Sequence, residues 1–308
     1  NLKWCSNDFL KLRFLNSFKK IRLFLEMIRF NYLASNVETN SSIENWLRKN
    51  NFSDFFIANY ILPMSSSIWS SSQESIKRFP MKSLSSFFKN HGLLNLIKRP
   101  QWFTVLGGSN NYVEKIINVS DINKIITNAE LLIKREGKKV SLQNKDVTSQ
   151  YDLLIFACHA NQIEEILTDI SPKEAEILSM FEYTNNNVLL HDEKNLMPKE
   201  ESLWSSWNSF KSKNYDYVTY WMNNLQKLDT EKEIFVTLGN CPEIDQERVF
   251  KKICYEHPLY SENTLEGQKY LKSIQGENNT YFVGAHLGYG FHEDGIKSTV
   301  EMLKSINE

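Results

Sequence analysis

"TYFVGAHLGYGFHEDGIKSTVEML", residues 280–303, carries four of the chain's 11 glycines, Gly284, Gly288, Gly290 and Gly295. The apolar start reads as a strand and the glycines as a turn. Ile296, Val300 and Leu303 then recur at helical spacing, which predicts a helix over 294–306 with those three side chains buried. A strand, a glycine-rich turn, an acid and a helix in that order can build a receptor for an anion or a dipole. The first amides of a helix carry about half a positive charge, and glycines let a ligand approach the backbone closely. Asp294 is placed as the N-cap. The same residues also suit a plain strand-to-helix turn, and the stretch alone leaves both readings open. Two nucleotide motifs are excluded. Four residues, not two, separate Gly290 from Gly295, and no Gly-Lys-Ser/Thr follows.

Composition narrows the class. A chain of 308 residues buries a large core and usually divides into two domains. Net charge of -1 gives no global field for nucleic acid, and no basic-aromatic interleaving suggests it. Cys5, Cys158, Cys241 and Cys254 lack paired spacing and read as reduced thiols of a cytoplasmic protein. No apolar run reaches the roughly 18 residues of a membrane span. The six histidines include no pair at i, i+4, so no metal site is expected.

Residues 1–105 read as a helical region. Over 10–33, Phe14, Phe18, Ile21, Leu25 and Ile28 fall on one face among Lys11, Arg13, Lys19, Lys20, Arg22 and Arg29. This is either a basic helix in peripheral contact with an inner membrane or a domain helix whose lysines form its wet side. Ser41–Glu44 caps a helix through Trp46, and an apolar helix over 53–62 stops at Pro63. The serine-rich stretch 64–75 holds Met64, Ile68 and Trp69, so it is an ordered segment rather than a linker.

Further along, a hairpin turns at Glu136-Gly137, and "YDLLIFAC" (151–158) suits a strand buried on both faces. A helix over 161–181, strands at 186–192, 216–223 and 233–240, and a helix near 243–254 follow. The organisation is α+β or α/β: 106–165 and 276–308 belong to one domain, and 166–275 forms a second with a mixed sheet. Trp204, Trp207, Trp221, Tyr217 and Tyr220 either line an apolar cavity on that sheet or pack its core.

"GYGFHEDG" (288–295) resembles the C-terminal flavin-binding segment of the flavin-containing amine oxidase superfamily, and more narrowly bacterial NAD/FAD-binding, amine-oxidase-domain proteins. Eight more segments fall in that family's order: "ILPMSSSIWS" (61–70), "FFKNHGLLNLIKRPQW" (87–102), "VLGGSNNYVEKI" (105–116), "FACHANQIEEIL" (156–167), "LLHDEKNLMP" (189–198), "WSSWN" (204–208), "VTYWMNNLQ" (218–226) and "HPLYSENTLEGQ" (257–268).

The resemblance implies a two-domain fold binding FAD and an oxidoreductase that abstracts a hydride from an apolar amine or lipid-like substrate. A fatty-acyl or carotenoid-like desaturase, or a non-catalytic binding protein on the same scaffold, are its alternatives. It matches Asp294, Gly295 and Ile296 to the helix start at the flavin's pyrimidine edge, and Gly284 and Ala285 to the strand end at the ribityl and pyrophosphate. Gly290, Gly107 and Gly108 are counted with them. His292 and Tyr289 are the catalytic candidates it offers. Three departures stand out. Ala285 replaces a glutamate common in the family, and Asn187 stands where many amine oxidases have a lysine. No Gly-x-Gly-x-x-Gly precedes these segments. That last departure, with the start at Asn1, gives the expectation of a fragment that lacks the first Rossmann βαβ unit and is inactive alone.

Overall fold

The computed structural model describes residues 4–5, 17–95, 97, 100–101, 103–122, 124–145 and 147–307. In chain order, β1 (Trp4–Cys5) precedes the helices α1 (Ser17–Ala34), α2 (Ile43–Lys49), α3 (Asp54–Phe56), α4 (Leu62–Trp69), α5 (Gln73–Arg78), α6 (Met81–Asn90) and α7 (Asn110–Val119). The strands β2 (Leu131–Glu136), β3 (Lys139–Asn144), β4 (Val147–Tyr151) and β5 (Leu154–Phe156) follow, then α8 (Ala160–Ile166) and α9 (Pro172–Ser179). Next come β6 (Tyr183–His191), β7 (Trp207–Lys211), β8 (Asp216–Trp221), α10 (Met222–Gln226), β9 (Phe235–Asn240) and β10 (Val249–Pro258). The chain closes with α11 (Glu262–Ser273), β11 (Thr280–Phe282) and α12 (His292–Asn307).

These elements form two compact units, Asn1–Asp121 with Asn185–His257, and Ile122–Thr184 with Pro258–Glu308. The first unit holds the six-stranded sheet, in the order β1-β7-β8-β9-β6-β10. One sheet face buries Thr219 and Thr237, paired in register, with His191 beside them. The Glu193 N–H donates to His191 Nδ1 (3.1 Å), so Nε2 carries the proton and donates to Thr237 Oγ1 (2.8 Å). On the other face, Tyr220 meets α4, where its hydroxyl donates to Ser67 O (3.0 Å). The aromatic residues pack rather than line a cavity. Tyr217 is core, and Trp204 sits edge-on to both Trp221 and Phe235.

The second unit combines the antiparallel sheet β2-β3-β4 with the parallel pair β5 and β11. Its core joins Phe156, Ile163, Leu178, Phe181, Leu271 and Phe282. Arg135 on β2 is buried with an ion network. It pairs with Asp169 (2.9 Å) and donates through Nη2 to Glu174 Oε2 (2.9 Å), whose other oxygen contacts Nη1. Glu174 is in turn the third residue of α9, where its carboxylate and Ser171 form a capping box.

Several expectations change at this level. Pro63 does not stop its helix. A π-helical turn at Ile57–Ile61 widens the chain just ahead of it, so α3 runs into α4 without the ring clash a proline imposes on a regular turn. The serine-rich stretch that follows is ordered in α4 and α5. In "YDLLIFAC" Tyr151 ends β4, only Leu154–Phe156 forms β5, and Ile155 stays 41% exposed, so the strand is not buried on both faces. The helix over 161–181 is broken at Ser171-Pro172 into α8 and α9. In place of a helix near 243–254 stands β10, an edge strand rich in β-branched and aromatic residues that ends at a proline. The predicted apolar face of the first helix also points outward: Leu23, Met27, Phe30 and Ala34 are buried, whereas Phe18, Ile21, Leu25 and Ile28 are exposed. Phe14, Lys11 and Arg13 lie outside the described residues.

Replacing Arg135 by Met strands the buried Glu174 carboxylate, which costs about 3–5 kcal/mol. In urea denaturation, Arg135→Met is expected to lose that amount and Arg135→Met/Glu174→Met to recover most of it. Equal losses in the two variants would show that the pair is not coupled.

Candidate functional site

Parallel pairing of β5 with β11, in the register Leu154↔Thr280 to Phe156↔Phe282, brings two strand ends together in the second unit. The carboxyl ends of parallel strands are where α/β sheets bind ligands. Beyond β5, Cys158 and His159 lead into α8, with His159 as the N-cap. Beyond β11, Val283–Phe291 leads into α12. The Val283 N–H donates to Phe156 O (2.9 Å), which extends the ladder into the turn.

The four glycines of that turn are kept for different reasons. A Cβ on Gly284 (φ +150) would lie 2.8 Å from the His286 ring. On Gly288 it would fall 2.4 Å from the Asp294 carboxyl carbon, and on Gly290 (φ +93) 2.7 Å from the Tyr260 hydroxyl. These three are fixed by the protein's own packing. Gly295 differs, because a Cβ there would meet only the Ala285 amide nitrogen, at 3.8 Å. A side chain at 295 would have room and would lie beside that amide.

Asp294 is not the N-cap. The helix α12 begins at His292, which makes Asp294 its third residue. Its Oδ2 reaches back to accept the N–H groups of Tyr289 and Phe291, both at 3.0 Å, as the third residue of a capping box does. Two loop amides are therefore already satisfied by the protein's own carboxylate. A carboxylate this near the helix start also opposes a second full negative charge. The arrangement favours a neutral or partly negative acceptor, such as a ring carbonyl, over a phosphate dianion.

The turn is held from outside the motif. Gln268 Nε2 donates to the carbonyls of His286 (2.9 Å) and Gly288 (2.8 Å), and the Tyr260 hydroxyl donates to Ala285 O (3.3 Å). Burial, with Asp294 and Tyr183 nearby, raises the Tyr260 phenol far above its ordinary range and keeps it a neutral donor. His286 is 5% exposed, packs edge-on to Phe181, and has no partner for Nε2. Burial, with a smaller contribution from His159, lowers its pKa to about 4. The His159 ring stacks on Tyr183 (4.7 Å), whose hydroxyl accepts the Ala160 N–H (2.9 Å).

The sequence-based candidates are dispersed. Gly284, Ala285, Gly290, Asp294, Gly295 and Ile296 share this turn and helix start, with Tyr289 half-buried and His292 exposed. Ile296, Val300 and Leu303 are exposed, and the buried side of α12 is Ser298 and Met302. Gly107 (φ +79) and Gly108 (φ +91) belong to the first unit, where Asn111 Nδ2 donates to Leu106 O (2.8 Å). Asn187 also lies in the first unit, on the wall of a cavity of about 490 Å3 together with Val188, Cys241 and Ile244. Gln268, Tyr260 and His286 were missed. Only His286 carried a local signal, standing between two of the clustered glycines. No group of three or more His, Cys, Asp or Glu able to hold a metal occurs among the described residues.

No family model matches this sequence, and no curated protein matches it. Solved structures do. Over 99% of this chain and 76% of the other, the chain superposes on a reduced UDP-galactopyranose mutase with a TM-score of 0.63 at 12% identity. The cyclohexylamine oxidase of Brevibacterium oxydans IH-35A gives 0.59 at 10% identity, over 97% of this chain and 77% of that one. The chain has the fold of the flavin-containing amine oxidases. The CLA-producing fatty acid isomerase from P. acnes shares it as well, with a TM-score of 0.58 at 13% identity over 94% of this chain and 75% of that one. A mutase, an oxidase and an isomerase on one amine-oxidase fold show that the fold does not select the reaction.

His286 titrates near 4 in the folded chain and near 6.5 when unfolded. Between those values the unfolded state binds the extra proton, so its share of stability is full above pH 6.5 and is lost as pH falls toward 4. The unfolding free energy of His286→Met, from urea denaturation, should therefore fall less steeply over this window than that of the parent, by about 1.4 kcal/mol per pH unit. Parallel pH dependences would contradict the neutral, buried assignment.

Proposed function

We propose that this protein is an FAD-dependent oxidoreductase of the amine-oxidase type, taking a hydride from an apolar amine or lipid-like small molecule. The observation that carries the reading is the half-buried Ala285 amide beside the open Gly295, at the carboxyl ends of parallel strands on an amine-oxidase fold. A position where a Cβ would meet nothing but the Ala285 amide, next to the amide-rich start of a 16-residue helix, fits the carbonyl edge of a flavin. Bound flavin would supply the electron-pair acceptor.

The chain's own part is to bind, orient and polarise. Ala285, Gly295 and Ile296 meet the ring's edge. Asp294, Gly290 and Gly284 hold the turn in shape, and the helix dipole stabilises negative charge that develops there. The resemblance also counts Gly107 and Gly108 among the cofactor-binding residues. Tyr289 and His292 stand as the candidate pocket and proton-handling residues. We place the protein in the cytoplasm, in peripheral contact with the inner membrane. No helix among the described residues is long and apolar enough to cross one.

A second reading, desaturation or another rearrangement of a fatty-acyl chain, draws on the fatty acid isomerase among the similar structures. Asn187 at the position of the family's lysine removes one argument for amine substrates in particular.

The natural polypeptide, purified and mixed with FAD, should turn yellow with an absorbance band at about 450 nm. Gly295→Val, which keeps a helix-compatible residue but covers the Ala285 amide, should weaken FAD at least about tenfold without lowering the melting temperature. A polypeptide that stays colourless in excess FAD would overturn the reading in favour of a non-catalytic binding protein. Unchanged affinity in Gly295→Val would remove the helix start from the site.

A further inference from the structure

We infer that Ser298 is a positioning residue of the candidate site, whose hydroxyl fixes the spacing between the Ala285 amide and the start of α12. This deepens the flavin reading above and rests on it. The polarity of α12 is inverted. Its apolar residues Ile296, Val300 and Leu303 are exposed, while Ser298, 8% exposed, is buried one turn ahead of Met302. A hydroxyl on the inner face of a helix is tolerated when its hydrogen bonds are made. Ser298 makes two. Its Oγ accepts the Gly284 N–H (2.9 Å) and donates to Gly295 O (2.7 Å).

Those two groups flank the proposed contact. Gly284 is the residue before Ala285, and Gly295 is where an added Cβ would meet only the Ala285 nitrogen. One oxygen therefore ties the end of the strand to the first turn of the helix. A hydroxyl can do both at once, because it carries one proton and two lone pairs. The bond to Gly295 is an ordinary back-bond of a helical serine. The bond to Gly284 reaches 14 residues back along the chain, and it carries the inference. Thr299 supplies the comparison. Its hydroxyl also donates to Gly295 O (3.0 Å), yet among the described residues it makes no bond to the strand side. Gln268 and Tyr260 hold carbonyls inside the turn, whereas Ser298 joins the turn's two ends. A ring edge that rests on the Ala285 amide and the helix start together needs them at one separation. The need is greatest when that edge carries most negative charge, so the bridge supports binding overall and the reduced ring above the oxidised one.

The test uses the natural polypeptide, FAD titration and the potential of the bound flavin, with amide hydrogen exchange measured before FAD is added. In Ser298→Ala, FAD should bind at least about tenfold more weakly. The reduced form should lose about tenfold more than the oxidised form, which lowers the two-electron potential by about 30 mV. Before FAD is added, the Gly284 amide should exchange at least about tenfold faster than in the parent. Alanine is the better helix former, so loss of the helix does not account for these changes. Ser298→Thr keeps the hydroxyl and should restore affinity and potential, and Thr299→Val should match the parent. A Ser298→Ala variant with the parent's affinity and potential would overturn the inference. So would a Thr299→Val variant with the same losses, because the helix start and not its bridge to Gly284 would then matter. A parent that takes up no FAD would overturn the flavin reading and this inference with it; a yellow parent and an unaltered Ser298→Ala would overturn this inference alone.

Discussion

The second unit depends on a short parallel ladder between strands far apart in the chain. Tyr281 faces Ile155 and Phe282 faces Phe156, and stacked rings of Phe156 and Phe282 (5.7 Å) anchor the pair in the core. Parallel strands must be reached by crossovers, here through α8, α9 and the intervening first-unit strands. Both loops that leave the ladder therefore open on the same side. Everything proposed about a ligand follows from that shared opening: the N-terminus of α8, the glycine-rich turn and the start of α12 are neighbours only because two three-residue strands pair in register.

Three of the turn's four glycines make room for the protein's own groups, namely the Asp294 carboxylate, the Tyr260 hydroxyl and the His286 ring. That packing would be expected of an ordinary tight turn. Gly295 is the exception, where the protein's own packing leaves room beside the Ala285 amide. The supports are also asymmetric. Gln268 and Tyr260 come from α11 and the segment before it and hold carbonyl oxygens, while Asp294 holds amides. With both kinds of group in the turn engaged, its shape is set before any ligand arrives, which lowers the ordering cost of binding.

Local chemistry was legible in the sequence, and tertiary choice was not. Ser42 caps α2, accepting the Asn45 N–H, and the hairpin turns at Gly137 (φ +64), both as their short-range signals require. The order strand, glycine turn, helix at 280–306 was readable too. Asp294 was misplaced because its choice between capping the helix and bracing the loop depends on where Gly288 lets its carboxylate rest. The segment expected as a helix near 243–254 pairs instead at the edge of a sheet, where Lys251 and Lys252 stay in water. In α1 the periodicity was right and the face was wrong: two apolar stripes share one helix, and no spacing rule says which of them meets the core.

The same ambiguity recurs in α7 and α12, and it has a physical reading. Val113, Ile116 and Ile117 on α7, and Ile296, Val300 and Leu303 on α12, repeat at helical spacing and stay exposed, just as the outer stripe of α1 does. A hydrophobic stripe reports only that apolar surface gains by leaving water; it does not name what receives it. On α12 the border is mixed, with Glu293 and Glu301 against Lys297 and Lys304, so charge selects nothing and the stripe alone carries no choice of partner. The opening at Gly295 and the stripe that starts at Ile296 sit on one helix but answer to different forces, the first to the dipole of exposed amides and the second to apolar area. A ligand with a carbonyl edge and an apolar ring face would satisfy both at once, whereas a phosphate would satisfy neither the Asp294 carboxylate nor the stripe.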